Sequence, residues 1–146
     1  MQANTKIPPA PLVLGLGGLV PFVVLTIVLL LGWGDRLPIA RPALLTYGAV
    51  IASFLGGIRW GLALREADSA ARFDLALSVV PSLLAWGCLA LPRPFDLAGL
   101  AALILAWGFI DRDLPRRGLA PPWFGRLRLL LSTIAGLTLA AAALGT

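Results

Sequence analysis

Apolar residues in this chain occur in five long runs, and short segments between the runs contain most of the charges. The runs extend over about residues 12–33, 43–64, 75–91, 95–114 and 123–144. A helix needs about 17 to 25 apolar residues to cross roughly 30 Å of hydrocarbon. The runs lack the alternation of a β-barrel strand. The pattern therefore predicts an all-α bundle of five transmembrane helices, with residues 1–146 forming a single membrane domain.

The fourth run is the shortest, because it is uncharged only from Phe95 to Ile110. To cross the bilayer, a helix here should continue to Leu114, immediately before the helix breaker Pro115. This extension places Asp111 one turn inside the end of the fourth span.

Composition and residue types agree with a membrane location and exclude several classes of function. The chain is 59% hydrophobic and 13% charged, whereas soluble domains are about a quarter charged. It contains no histidine and a single cysteine, Cys88, which argues against most metal centres and acid-base enzymes. The charges form no basic helix face of the kind that binds nucleic acid. We therefore expect no catalytic residue, no metal, no cofactor and no nucleic-acid partner.

Lysine and arginine are divided unequally between the two sides of the predicted bundle. With five spans, eight lie on the side of the N-terminus and three on the opposite side, and such an excess marks the cytoplasmic side. The N-terminus is thus predicted to be cytoplasmic and the C-terminus periplasmic.

The first span is longer than the apolar region of a signal peptide, and the segment before it lacks the character of a transit peptide. We expect a multi-pass protein of the bacterial plasma (inner) membrane.

Small residues in the second span form two neighbouring rows at helical spacing. One row is Gly48, Ala52 and Gly56; the next is Ala49, Ser53, Gly57 and Gly61. Small residues allow membrane helices to approach closely, so these rows predict packing within the bundle or, alternatively, dimerisation.

Pro21 and Pro81 fall inside the first and third spans, where each removes a backbone donor and predicts a kink.

Arg59 is the one charge inside the second span. An unpartnered arginine at mid-bilayer costs from about 3 to more than 10 kcal/mol. Three interpretations follow: the side chain extends to the nearer interface beside Trp60, it forms an ion pair with Asp111 that Arg128 joins, or it lines a solute path.

The other charged residues have simpler interpretations. Arg116, Arg117 and Arg126 either hold anionic lipid headgroups or only follow the positive-inside rule. The carboxylates outside the fourth span's end are interpreted as solvated groups of loops or helix starts: Asp35, Glu66, Asp68, Asp74 and Asp96.

Several sequence blocks resemble a known family: "GLGGLVPF", "LTYGAVIASFLGGIRWGLAL", "VVPSLLAW" and "PPWFGRLRLLLS". They are similar to the signature blocks of small integral membrane proteins catalogued as a domain of unknown function, a family that includes the mitochondrial transmembrane protein 69. The resemblance covers most of the chain. It implies a five-helix membrane protein without an assigned activity, and it transfers no catalytic residues.

Three classes of function remain, and the lack of reactive side chains favours the first. This is a non-enzymatic accessory or assembly factor that uses its small-residue faces to bind other membrane proteins. The alternative is a small oligomeric transporter or channel with Arg59 near the solute path. A lipid-modifying enzyme fits least, because no nucleophile and base are paired. Membrane lipids, other membrane proteins and a second copy of the chain are the expected partners.

Overall fold

The computed structural model describes residues 6–34, 37–65 and 69–145, apart from the side chains of residues 69–71. These residues form five helices of four or more turns, one short helix and no strand, so the all-α prediction is confirmed for the described part of the chain. The helices are α1 (Pro9–Leu30), α2 (Leu37–Ala63), α3 (Ser69–Leu89), α4 (Phe95–Ile110), α5 (Asp113–Arg116) and α6 (Phe124–Gly145).

Four of the helices, α1, α2, α3 and α6, are long and apolar enough to cross a membrane. The remaining long helix, α4, has 16 residues and is about 24 Å long at 1.5 Å per residue. It lies at the centre of the bundle, because Leu97, Leu100 and Ile104 are almost completely buried. Its neighbours α2, α3 and α6 contact it.

The predicted extension of the fourth span to Leu114 is wrong. The helix α4 ends at Ile110, and Asp111 is its C-cap residue, with its backbone N–H donating to the carbonyl of Trp107. Pro115 has no N–H to donate to the carbonyl of Asp111, which instead accepts from the N–H of Leu114 at 3.3 Å in the turn before α5. Asp111 therefore lies at the end of the helix and not one turn inside it.

Two helices begin earlier than predicted. The helix α2 begins at Leu37 and α3 at Ser69, so both include charged residues that the apolar runs had left outside, Arg41 and Asp74. These charges are compatible with a buried helix because partners on other helices neutralise them. Helix starts predicted from continuous apolar runs are thus too late, because ion pairs allow charged residues inside these helices.

The first row of small residues packs inside the bundle. A methyl group added at Gly56 would overlap the backbone carbonyl of Ser78 and contact Pro81, both on α3. Gly48 packs against Leu100 of α4, and Ala52 is fully buried. Both α1 and α3 continue as helices through their internal prolines, Pro21 and Pro81.

Two members of the second row, Gly57 and Gly61, have a different environment. Apart from the adjoining turns of α2 itself, no atom of the described residues lies within 4 Å of a methyl group added at either glycine. Both glycines are exposed on the side of α2 that faces away from the other helices. Adjacent glycines, Gly56 and Gly57, therefore have opposite surroundings.

Candidate functional site

Three arginines and three aspartates meet at the end of the bundle where α2 and α4 end and α3 and α6 begin. We call this group the six-residue network: Arg59, Arg117, Arg128, Asp74, Asp111 and Asp113. Its formal charges cancel. The helices α2, α3 and α6 each contribute one member, the α4 C-cap contributes another, and the segment that contains α5 contributes the remaining two.

Arg59 is the centre of the network, and its side chain is 1% exposed. Its Nη1 atom donates to Oδ1 of Asp74 at 2.6 Å, and its Nη2 atom donates to Oδ1 of Asp113 at 2.9 Å. Nη2 also lies 3.2 Å from Oδ1 of Asp111. Because the guanidinium is buried and enclosed by carboxylates, its charge does not reach the surface of the bundle as the snorkelling interpretation requires.

Asp111 joins two arginines from different helices. Its Oδ1 atom accepts from Arg59, and its Oδ2 atom accepts from Nε and Nη2 of Arg128 at 3.1 and 2.8 Å. The structure thus brings together Arg59, Asp111 and Arg128, as the ion-pair interpretation of Arg59 predicts. Arg59 is on α2 and Arg128 is on α6, so this one carboxylate connects both helices to the end of α4.

Arg117 completes the network from the segment after α5. Both of its terminal nitrogens donate to the carboxylate of Asp74, and Nη1 also lies 3.3 Å from Oδ2 of Asp113. The hydrogen bonds to Asp74 raise the pKa of the Arg117 guanidinium above its ordinary value, although partial burial opposes the shift. Its positive charge is therefore fixed, and it is engaged by carboxylates of the chain itself.

Of the three arginines predicted to hold lipid headgroups, Arg117 differs from the other two. Arg116 and Arg126 are exposed, and neither forms an ion pair with a described residue. They remain candidates for contact with anionic lipid.

The interpretation of Asp74 and Asp96 as solvated carboxylates is wrong, because both are buried. Asp74 pairs with Arg59 and Arg117. At the opposite end of the bundle, Oδ2 and Oδ1 of Asp96 accept from Nη1 and Nη2 of Arg41 at 2.6 and 2.8 Å. We call this second site the Arg41–Asp96 pair. The other carboxylates of that group, Asp35, Glu66 and Asp68, lie outside the described residues.

A signal for the missed pairs was present in the predicted topology. Arg41 and Asp96 lie near the starts of the second and fourth spans, on the same side of the membrane. Asp74 lies on the other side of the membrane from these two residues, and the second span, which contains Arg59, ends on that same side. Opposite charges at one membrane depth are expected to pair, because each is costly alone.

The network holds several helices together through ion pairs. Every carboxylate in it is bonded to an arginine. Within the described residues, no three metal-binding side chains are arranged to hold a metal ion. Removing one partner from a buried ion pair costs about 3–5 kcal/mol, since a charge is left uncompensated.

Comparison with known proteins identifies the family. Residues 7–144 match the family described as "Protein of unknown function (DUF3429)". The chain belongs to this family. It is similar to Transmembrane protein 69 of Xenopus tropicalis, with 36% identity over 138 residues that cover 92% of the chain and 54% of that protein. Transmembrane protein 69 of Mus musculus is 30% identical over 131 residues, which cover 88% of the chain and 53% of that protein.

The chain spans about half the length of these curated relatives. No solved structure matches it. The resemblance to the family of unknown function, and the multi-pass membrane character that it implies, are therefore confirmed by sequence similarity together with the long apolar helices.

The sequence blocks that resemble the DUF3429 family contact one another in this fold. Tyr47 donates a hydrogen bond to the carbonyl of Gly18 at 2.8 Å, which joins the second block to the first. Gly56 of the second block packs against Pro81 of the third. The first three blocks thus meet at contacts between α1, α2 and α3.

Proposed function

We propose that the chain is a non-enzymatic accessory or assembly factor that binds a transmembrane helix of another membrane protein. The observation behind this proposal is the open surface around Gly57 and Gly61 on α2, where nothing in the described chain occupies the space above either glycine. We call this surface the Gly57–Gly61 ridge.

The surroundings of the ridge fit a helix interface in lipid. Gly57 and Gly61 are spaced as small-xxx-small, a spacing that lets two helix backbones approach closely. The exposed side chains of Phe54, Trp60 and Leu64 lie on the same side of α2 and would pack against the flanks of a partner helix. The neighbouring Gly56 already uses this kind of approach, because α3 packs directly onto it.

The alternative function, a small oligomeric transporter with Arg59 at the solute path, draws less support from the geometry. The Arg59 guanidinium is enclosed by three carboxylates of the chain, so its charge is already balanced. A path-lining arginine needs donors that a solute can reach.

Orientation and location are part of the same proposal. By sequence, the end of the bundle with the six-residue network contains nine basic and five acidic residues, and the other end contains three and two. The positive-inside rule then favours a cytoplasmic position for the network end and for the N-terminus, with the C-terminus periplasmic in a bacterial plasma membrane. A fluorescent protein that folds only in the cytoplasm should be dark when fused after Thr146.

Photo-crosslinking in the membrane tests the helix-binding role. A photoreactive amino acid at Phe54, beside the ridge, should give a discrete adduct with one other membrane protein. The same amino acid at Leu137, which is exposed on α6, is the matched control and should give none.

The substitution Gly57→Leu should abolish the adduct from position 54 without lowering thermal stability, because a Cβ atom added at Gly57 has no atom of another described helix within 4 Å. Equal adducts from positions 54 and 137, or an adduct that persists in Gly57→Leu, would contradict the proposal. An adduct with twice the mass of the chain would replace it with self-association.

A further inference from the structure

A lateral crevice of about 500 Å³ lies between α1, α2 and α6, with α4 at its floor. Its walls are almost entirely apolar and include Gly18, Phe22, Ile51, Ile58, Leu131 and Ala135. Arg128 of the six-residue network also lines it. The crevice adjoins the Gly57–Gly61 ridge, because Phe54 lines it, but neither glycine does.

The crevice has the depth of one lipid leaflet. On α1 its lining extends from Pro11 to Phe22, and on α6 from Phe124 to Ala135. Each stretch is about 16 Å long at 1.5 Å per residue, and half of a hydrocarbon core of about 30 Å is about 15 Å. The crevice therefore begins at the network end of the bundle and extends to the middle of the membrane.

The size of the crevice suits a lipid chain. Its volume of about 500 Å³ lies within the range of about 300–1,000 Å³ typical of small-molecule sites, and an extended acyl chain fits its length.

The network end of the crevice offers polar groups to such a molecule. Arg128 uses Nε and Nη2 to bind Asp111, and no described residue accepts a hydrogen bond from its Nη1 atom. One turn deeper on α6, Ser132 also lines the crevice; it is 3% exposed, and its Oγ atom has no partner within the described residues. A guanidinium nitrogen without a partner among the described residues is suited to contact an anionic ligand, whereas the Ser132 Oγ atom lies against Gly108 of α4.

Charge complementarity favours an anionic molecule. The nine basic and five acidic residues at this end leave a net charge of +4 by sequence, against +1 at the other end. Clusters of arginine next to a membrane attract anionic lipids.

We propose that the crevice binds one acyl chain of an anionic phospholipid from the leaflet at the network end, with the lipid phosphate beside Arg128. The apolar walls hold the chain, and Nη1 of Arg128 donates to the phosphate. This site does not depend on the helix-binding role of the Gly57–Gly61 ridge, so each proposal can fail without the other.

Native mass spectrometry of the purified protein tests this site. The protein is loaded with equal amounts of palmitoyl-oleoyl phosphatidylglycerol and the corresponding phosphatidylcholine, and the detergent is then removed in the gas phase. The wild-type protein should retain one phosphatidylglycerol with a preference of about fivefold or more over phosphatidylcholine. Equal retention of the two lipids would overturn the proposal, and this comparison needs no variant.

A matched pair of glycine variants locates the lipid. Gly18→Leu fills the crevice, because Gly18 lines it and the nearest atom to an added methyl group is the Tyr47 hydroxyl at 3.9 Å. Gly17→Leu places the same side chain on the exposed face of α1, where no described atom lies within 4 Å. We expect Gly18→Leu to lower phosphatidylglycerol retention at least about fivefold and Gly17→Leu to leave it unchanged. Similar retention in the two variants, at matched thermal stability, would place the lipid elsewhere.

The substitution Arg128→Lys tests the phosphate contact separately. Lysine keeps a positive charge near Asp111 but has no second terminal nitrogen to reach a phosphate. The preference for phosphatidylglycerol over phosphatidylcholine should fall toward one. An unchanged preference in Arg128→Lys would exclude Arg128 as the headgroup ligand.

Discussion

The two ends of the bundle neutralise buried charges in different ways. At one end, two oxygens of Asp96 face two nitrogens of Arg41, both side chains are almost fully buried, and these bonds join α2 to α4. At the other end, the six-residue network shares each of its carboxylates between two arginines and connects five helices. Removal of any one pair from the network therefore leaves its other members with fewer partners.

The largest effect is expected from Arg59→Leu. Asp111 retains Arg128 and Asp74 retains Arg117, but three carboxylates then face only two arginines. We expect a loss of about 3–5 kcal/mol in the free energy of unfolding, measured by titration with sodium dodecyl sulfate in mixed micelles. Arg65→Leu is the control, because Arg65 is an exposed residue near the end of the same helix; an equal loss in both variants would refute the structural role of the network.

Replacing both members of an ion pair should change stability differently at the two ends of the bundle. Asp96→Leu alone should cost about 3–5 kcal/mol, whereas Arg41→Leu with Asp96→Leu should recover most of this loss, since apolar replacement of a whole buried pair is often neutral. Arg59→Leu with Asp74→Leu should recover less, because Arg117 loses Asp74 and keeps only the longer contact with Asp113. A complete double-mutant cycle at each end measures the difference. Equal recovery at both ends would show that the network behaves as independent pairs.

A smaller effect separates the two adjacent glycines of α2. Gly56→Ala should cost about 1–3 kcal/mol, since the added methyl group overlaps the Ser78 carbonyl on α3 and the helices must move apart. Gly57→Ala should change stability by less than about 0.5 kcal/mol. Thermal unfolding followed by circular dichroism distinguishes them, and a larger loss in Gly57→Ala would mean that α2 is rotated relative to the fold described.

The smallest effects are expected at the neighbouring arginines after α5. Arg117→Gln should cost about 1–2 kcal/mol, because it removes charge-assisted hydrogen bonds to Asp74. Arg116→Gln should change stability by less than about 0.5 kcal/mol, since Arg116 is exposed. The same thermal unfolding assay applies, and indistinguishable values would indicate that Arg117 adds little to the network.

The positions of the helices follow from the apolar runs, because each run must be long enough to cross the membrane. The meeting of Arg59, Asp111 and Arg128 was also within reach, since all three lie at one predicted depth. Asp74 and Asp96 were missed because a carboxylate near a helix start is usually solvated, and only the adjacency of helices shows that an arginine faces it. The difference between Gly56 and Gly57 depends on how α2 is rotated about its axis, which residue type alone does not determine.

The two charged sites together set the register of α2 against α4. Both helices run in the same direction, and α2 supplies Arg41 and Arg59 while Asp96 and Asp111 lie at the two ends of α4. A slide of α2 along α4 by one turn, about 5.4 Å, would break the ion pairs at both ends at once. The two helices are therefore fixed relative to each other. The helix α1 contains no charged residue and forms one wall of the crevice. Movement of α1 that widens the crevice would therefore break the Tyr47–Gly18 hydrogen bond but none of the ion pairs of the two charged sites.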